Sequence, residues 1–175
     1  MPGLYRDNDF KDNCGFGLIT NRYGVKSHAV ITKSISALKS MTHRGGIGAD
    51  GKTGDGCGLL FNLDHEFYRN AIKLEQNIIL PSHFAITQLF IQKPIKELLP
   101  RINTILKNEN LQLEAVRLVP VDKKILGTIA SACLPEIYQL FISGIDKSLD
   151  IDLFESSLLQ ARKFIEEIYN DDEML

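Results

Sequence analysis

Residues 11–20 read KDNCGFGLIT. A cysteine stands between a polar leader and an apolar run, and Gly15 and Gly17 follow it closely. Two readings compete: Cys14 is either a small apolar core residue or a nucleophile. The second needs a base, because only the thiolate attacks and a free thiol has a pKa of about 8.5. An α-amino group, with a pKa of about 7.7–8.0, can serve if it belongs to the same residue. Cys14 would then have to be the first residue of the mature chain. Residues 1–13 would have to be removed, by attack of the Cys14 thiol on its own preceding peptide bond. Gly15 would let the backbone lie close to a substrate with no Cβ between them.

Around this stretch the composition is that of a globular chain. Of 175 residues, 44% are hydrophobic and 24% charged, enough for one compact domain with a core or for two small lobes. A net charge of −2 with no basic block argues against a nucleic-acid partner. No apolar run is long enough to span a bilayer, and MPGLYRDNDFKDN (1–13) lacks the apolar centre of a secretory signal, so no membrane partner is expected. The three cysteines, Cys14, Cys57 and Cys133, are odd in number and form no C-x-x-C. That disfavours a zinc ribbon or disulfide framework and suits a reducing, cytoplasmic compartment. Cys57 and Cys133 read as small core residues, and His28, His65 and His83 show no metal-ligand spacing.

Along the chain, residues 1–13 read as an arm. CGFGLIT (14–20) is a strand candidate, NRYG (21–24) has turn chemistry, and SHAVI (27–31) is expected to return antiparallel. TKSISALKSMTHR (32–44) places Ile35, Leu38 and Met41 on a helical period, with Thr32 as a candidate N-cap. GGIGADGKTGDGCG (45–58) holds seven of the thirteen glycines and leads into GLLFNL (58–63), an apolar strand candidate. HEFYRNAI (65–72) predicts a short helix. After Pro81 come a strand over 84–92, a helix over 95–109 with Pro100 inside its pattern, and strands over 111–121 and 136–142. A helix over 152–169 closes the pattern, with Phe154, Leu158, Ala161 and Ile165 facing inward. The order strand, helix, strand, linker, strand, helix predicts a small α+β lobe.

The second motif raises the weight on Cys14. MTHRGGIGADGKTGDGCGLLF (41–61) joins a His-Arg-Gly at a helix end to a glycine-rich loop that runs into a strand. Cys-Gly, His-Arg-Gly and the Gly-x-Gly strand together resemble the class II (N-terminal nucleophile) glutamine amidotransferases. The ADGKTGDGCG extension resembles one branch, the N-terminal domain of glutamate synthase large subunits. VPVD and LGTIA (119–130), LPEIYQLFI (134–142) and LFESSLLQARK (153–163) carry the resemblance through nearly the whole chain.

The resemblance implies an α+β fold, the N-terminal-nucleophile αββα sandwich, of which this chain would be an incomplete N-terminal portion. Residues 1–13 would be a leader or propeptide, and 14–175 the N-terminal part of the amidotransferase domain. That part would comprise a nucleophile half over 14–80 and the α+β lobe over 81–175. The implied reaction is hydrolysis of glutamine through a cysteine thioester, delivering ammonia for glutamate formation from 2-oxoglutarate. FMN, an iron–sulfur cluster and NADPH, NADH or ferredoxin would serve the parent enzyme elsewhere; no cofactor or metal is expected in this segment. L-glutamine, the remaining domains of the large subunit and a small electron-donating subunit are the implied partners.

Residue by residue, Cys14 matches the nucleophile and Arg44 the arginine of His-Arg-Gly, whose planar fork suits carbonyl and carboxylate oxygens. Gly15, Gly45 and Asp55 are further candidates for shaping the substrate site. Each has a plainer reading: Arg44 as a surface ion pair near a helix end, His43 as a packing or capping residue, Asp55 as an Asx turn in a glycine loop. Gly51-Lys52-Thr53 lacks the spacing of a phosphate cradle. The family's oxyanion hole uses an Asn-Gly pair, and these 175 residues contain none. The isolated chain is therefore expected to lack a complete glutaminase site. The rival readings are a non-enzymatic binding or assembly module on the same scaffold, and another class II amidotransferase.

Overall fold

The computed structural model describes residues 15–41, 46–54 and 56–169. The chain divides into two compact units, spanning 1–61 and 62–175.

In the first unit, helix α1 (His28–Ser40) replaces the strand expected at 27–31. Ser27 is its N-cap, its Oγ accepting from the Ala29 N–H at 3.2 Å, five residues before Thr32, the expected N-cap. The Thr32 hydroxyl instead donates back to the His28 carbonyl at 3.2 Å, a bond available only inside a helix. Val30, Ile31 and Thr32 make a β-branched run that reads as strand, and the serine cap overrides it. Segments 15–20 and 58–63, also strand candidates, have no ladder partner among the described residues, and a strand exists only by pairing.

The second unit carries a three-stranded sheet formed by β1 (Ala85–Ile91), β2 (Leu111–Leu118) and β3 (Glu136–Gly144). Its order is β1-β3-β2, with both outer strands antiparallel to β3. Helix α3 (Ile95–Asn108) joins β1 to β2, so the three elements form a split β-α-β unit with β3 inserted between its strands. A 3₁₀ turn (Lys123–Ile125) and the short helix α4 (Thr128–Ala132) link β2 to β3, and α5 (Ile151–Tyr169) follows β3. These are the elements that the periodicity predicts after Pro81. Pro100 lies five residues inside α3 rather than at its start, on the exposed side.

The sheet has a core on each face. On one, Leu89, Ile91, Leu111, Leu140 and Ile142 pack with Leu98, Ile102 and Leu106 of α3, and with Ala161 of α5. Phe154, Leu158 and Ile165 join them from the inward stripe of α5. On the other face, Phe84, Ala115 and Phe141 pack under Ile72 of helix α2 (His65–Gln76). Helix α2 is set by Asp64, whose Oδ1 accepts from the N–H groups of Glu66 and Phe67, and it ends at the left-handed Asn77. A two-pronged ion pair fastens it to the sheet: Arg117 Nε and Nη2 each donate to Glu75 at 2.8 Å, while Nη1 donates to Gln139 at 3.1 Å. Gly144 ends β3 where a Cβ would stand 2.9 Å from the Asp146 carbonyl oxygen, so no larger residue fits the turn.

Phe141 is fully buried in the α2 face, whereas Leu74 on α2 is 87% exposed. Urea denaturation should show Phe141→Ala destabilising this unit by about 3–5 kcal/mol, as for other buried phenylalanines. Leu74→Ala should stay within about 0.5 kcal/mol of wild type. Equal losses in the two variants would contradict this packing.

Candidate active site

Of the residues singled out by sequence, Cys14, Arg44, Gly45 and Asp55 lie outside the described residues, as does His43. Gly15 is described and exposed, and a Cβ there would meet only the Met41 sulfur, at 3.8 Å. Residues 15–41 and 46–54 form the surroundings of those positions along the chain.

Within 46–54 one carboxylate organises the backbone. Asp50 Oδ1 accepts from the N–H groups of Lys52 (3.0 Å) and Thr53 (2.8 Å), and its Oδ2 accepts from the Thr53 hydroxyl at 2.6 Å. The turn is closed by Gly51 N–H donating to the Gly48 carbonyl at 2.9 Å, and Gly48 N–H donates to the Thr53 carbonyl at 2.6 Å. Gly51 has φ +69°, which an L side chain rarely adopts, and this explains one glycine of the loop. An antiparallel bridge pairs Ile47 with Gly54. The loop is thus a closed hairpin. The Asp-Gly dipeptide at 50–51 is the sequence signal for it, and the reading that weighed an Asx turn at Asp55 overlooked Asp50.

Cys57 and Cys133 are exposed rather than in the core. Cys133 is the C-cap of α4, and its thiol donates to the Ile129 carbonyl at 3.4 Å, so a local backbone bond takes the place of burial. His65 packs edge-on against Phe84, with ring centroids 4.7 Å apart. Among the described residues no three His, Cys, Asp or Glu side chains are grouped to hold a metal ion. These residues do not fit an iron–sulfur cluster. No helix among them is long and apolar enough to cross a membrane. The second unit has a concavity of about 390 Å³ lined by His65, His83, Phe84, Asp146, Lys147 and Phe154, and it contains none of the sequence-predicted site residues.

Residues 14–174 match the family model of the class-II glutamine amidotransferases, and the match begins on Cys14. The chain belongs to that family.

The relatives narrow the branch. The chain is 32% identical over 166 residues to the glutamate synthase [NADPH] large chain of Bacillus subtilis, covering 92% of this chain and 11% of that protein. It is 35% identical over 158 residues to ferredoxin-dependent glutamate synthase 1 of Arabidopsis thaliana, covering 87% of this chain and 10% of that protein. It is 34% identical over 146 residues to the glutamate synthase [NADH] of Saccharomyces cerevisiae, covering 78% and 7%. The chain therefore spans about a tenth of the length of the curated relatives it matches. It is a class II amidotransferase region homologous to the amino-terminal region of glutamate synthase large chains.

In the second unit, Glu114 sits where a bulge between Leu113 and Ala115 breaks the β2 register. Burial pushes its carboxyl pKa up. Hydrogen bonds from Lys147 (2.8 Å), the Ser143 hydroxyl and Gln112 (2.7 Å) outweigh that and hold it below the ordinary value of 4.5. At Glu75 the hydrogen bond from Arg117 is the largest influence and also lowers the pKa. A carboxyl whose folded pKa is depressed stabilises the fold above its unfolded pKa, and that contribution is lost as pH falls through the folded value. The stability difference between wild type and Glu114→Gln should therefore be largest at neutral pH and shrink as pH drops below 4.5. Denaturation midpoints across that range test it, and a gap independent of pH would contradict it.

Proposed function

We propose that this chain is the amino-terminal part of the glutaminase domain of a glutamate synthase, and that Cys14 becomes its N-terminal nucleophile once residues 1–13 are removed. The observation that carries the reading is the family match that starts on Cys14 and leaves 1–13 outside it. The αββα sandwich belongs to the same proposal. The sheet under α3 and α5 supplies support for one β layer and one helical layer.

The chemistry follows from the pairing of thiol and amine on one residue. The free α-amine of Cys14 accepts the thiol proton, and the sulfur attacks the side-chain carboxamide carbon of glutamine. Collapse of the tetrahedral adduct breaks the C–N bond. The ammonium form of the amine returns its proton to the departing nitrogen, which leaves as ammonia. Water then attacks the glutamyl thioester with the same amine as base, releasing glutamate and restoring the thiol. Gly15, Arg44, Gly45 and Asp55 are proposed on the substrate side, with the Arg44 fork on the substrate's oxygens. Ammonia is passed on for glutamate formation from 2-oxoglutarate. The parent's flavin, iron–sulfur chemistry and electron donor lie outside this segment. Relatives named for NADPH, NADH and ferredoxin match it at similar identity, which supports donor selectivity residing elsewhere.

Two outcomes test this reading. In the full-length enzyme, Cys14→Ala should abolish glutamine-dependent glutamate formation and spare the ammonia-dependent reaction, while the intact mass of active enzyme shows loss of 1–13. Equal loss of both reactions, or full activity with Met1 retained, would overturn it. The 175-residue chain freed of 1–13 should release ammonia at least about 10²-fold more slowly than the full-length enzyme. It has no Asn-Gly pair to stabilise the oxyanion, and one such donor is worth about 10²–10³ in rate. Comparable turnover would place a complete site within these residues.

A further inference from the structure

We infer that the sheet of the second unit continues on β1: the strand that follows α5 in the full-length enzyme pairs antiparallel with the free edge of β1. This rests on reading the chain as the amino-terminal part of a longer glutamate synthase. The first support is topological. β1, α3 and β2 form one split β-α-β unit, with β3 between its strands. β3 and α5 open a second such unit, and α5 packs on the same face of the sheet as α3. Crossovers that join parallel strands of one sheet are right-handed in about 98% of cases. β3 runs opposite to β1. A crossover of the same hand over the same face therefore moves the opposite way across the sheet. From β1 the chain steps over β3 to β2; from β3 it steps over β1. The next strand then lies outside β1, parallel to β3, and completes a β-α-β-β-α-β arrangement.

The two outer strands also differ in how their edges are kept. β2 is broken by the bulge between Leu113 and Ala115. Gln76 Nε2 of α2 donates to its Val116 carbonyl at 2.8 Å, and its Arg117 is tied to Glu75. Bulges, charges and covering side chains are the devices that keep a further strand off an edge. β1 carries none of them. Its seven residues, AITQLFI, hold an unbroken register with β3 and include no charged residue and no proline. Among the described residues β1 pairs only with β3. Phe90 is 52% exposed there, although its neighbours Leu89 and Ile91 are buried on the opposite face. A strand beside β1 would cover it. Being parallel to β3, that strand would start beside Ile91, the partner of Glu136, and run toward Ala85, the partner of Ile142.

The test is amide hydrogen exchange of the full-length enzyme, read residue by residue. Held between two strands, β1 should exchange slowly at every amide from 86 to 90, as β3 does. β2, an edge, should keep fast exchange at alternate amides, because only every other residue turns its N–H toward β3. Proximity gives a second readout. Phe90→Cys should form a disulfide with one of a series of cysteines placed singly after residue 169, and Leu118→Cys should not. Fast exchange at alternate amides of β1, or slow exchange throughout β2, would overturn the inference. So would cross-linking from position 118 in place of 90. Protection of β1 that fades as the enzyme is diluted would also overturn it, by putting a second copy of the chain on that edge. Glutamine turnover through Cys14, measured on the same enzyme, separates the two readings: turnover with an unprotected β1 removes this inference alone, and no turnover removes the glutaminase reading.

Discussion

Strand β3 is hydrogen-bonded along both edges and buries side chains on both faces, and residues 62–169 are arranged around that double constraint. Leu140 and Ile142 face α3 and α5, while Phe141 between them faces α2. Alternation along a central strand allows no slip of one residue, because a slip would exchange the two cores. Its neighbours follow. β1 and β2 must run the same way to pair antiparallel with it, and α3 must cross over it to join them. The Glu75–Arg117–Gln139 link then fixes α2 on the second face through one residue from each of α2, β2 and β3.

This part of the chain was the most legible in sequence because its signals are redundant. Helices α3 and α5 carry apolar stripes over several turns, and β1 and β3 are short apolar runs between breakers. The first unit offers no such redundancy. Its strand candidates at 15–20 and 58–63 are apolar, but hydrophobicity cannot say whether a partner edge is present, and none pairs with them among the described residues. At 27–31 a β-branched run pointed to strand while a single serine cap pointed to helix, and the cap prevailed. Burial was misread at Cys57 and Cys133 because cysteine is usually internal.

The proposed site was read from its chemistry and not from its scaffold. Cys14 stands out in the sequence because a cysteine whose own α-amine is freed carries its base with it. Arg44, Gly45 and Asp55 drew notice by resemblance, and they lie outside the described residues. Asp50 drew none, although Asp-Gly followed by threonine is ordinary turn chemistry. Its part in the turn shows only when three donors are seen converging on one carboxylate. Membership of the class II amidotransferases rests on the family match and the glutamate synthase relatives. The covalent route through Cys14 rests on the start of that match and on the acid–base properties of a terminal cysteine.

The most direct test is to treat active full-length enzyme with a diazoketone analogue of glutamine and map the adduct after trypsin digestion. Cleavage after Lys11 would leave an unprocessed peptide beginning at Asp12, whereas a matured chain begins at Cys14. The account predicts the adduct on the sulfur of a peptide that starts at Cys14 and ends at Arg22. An adduct on another residue, or on Cys14 within a peptide that still begins at Asp12, would contradict it.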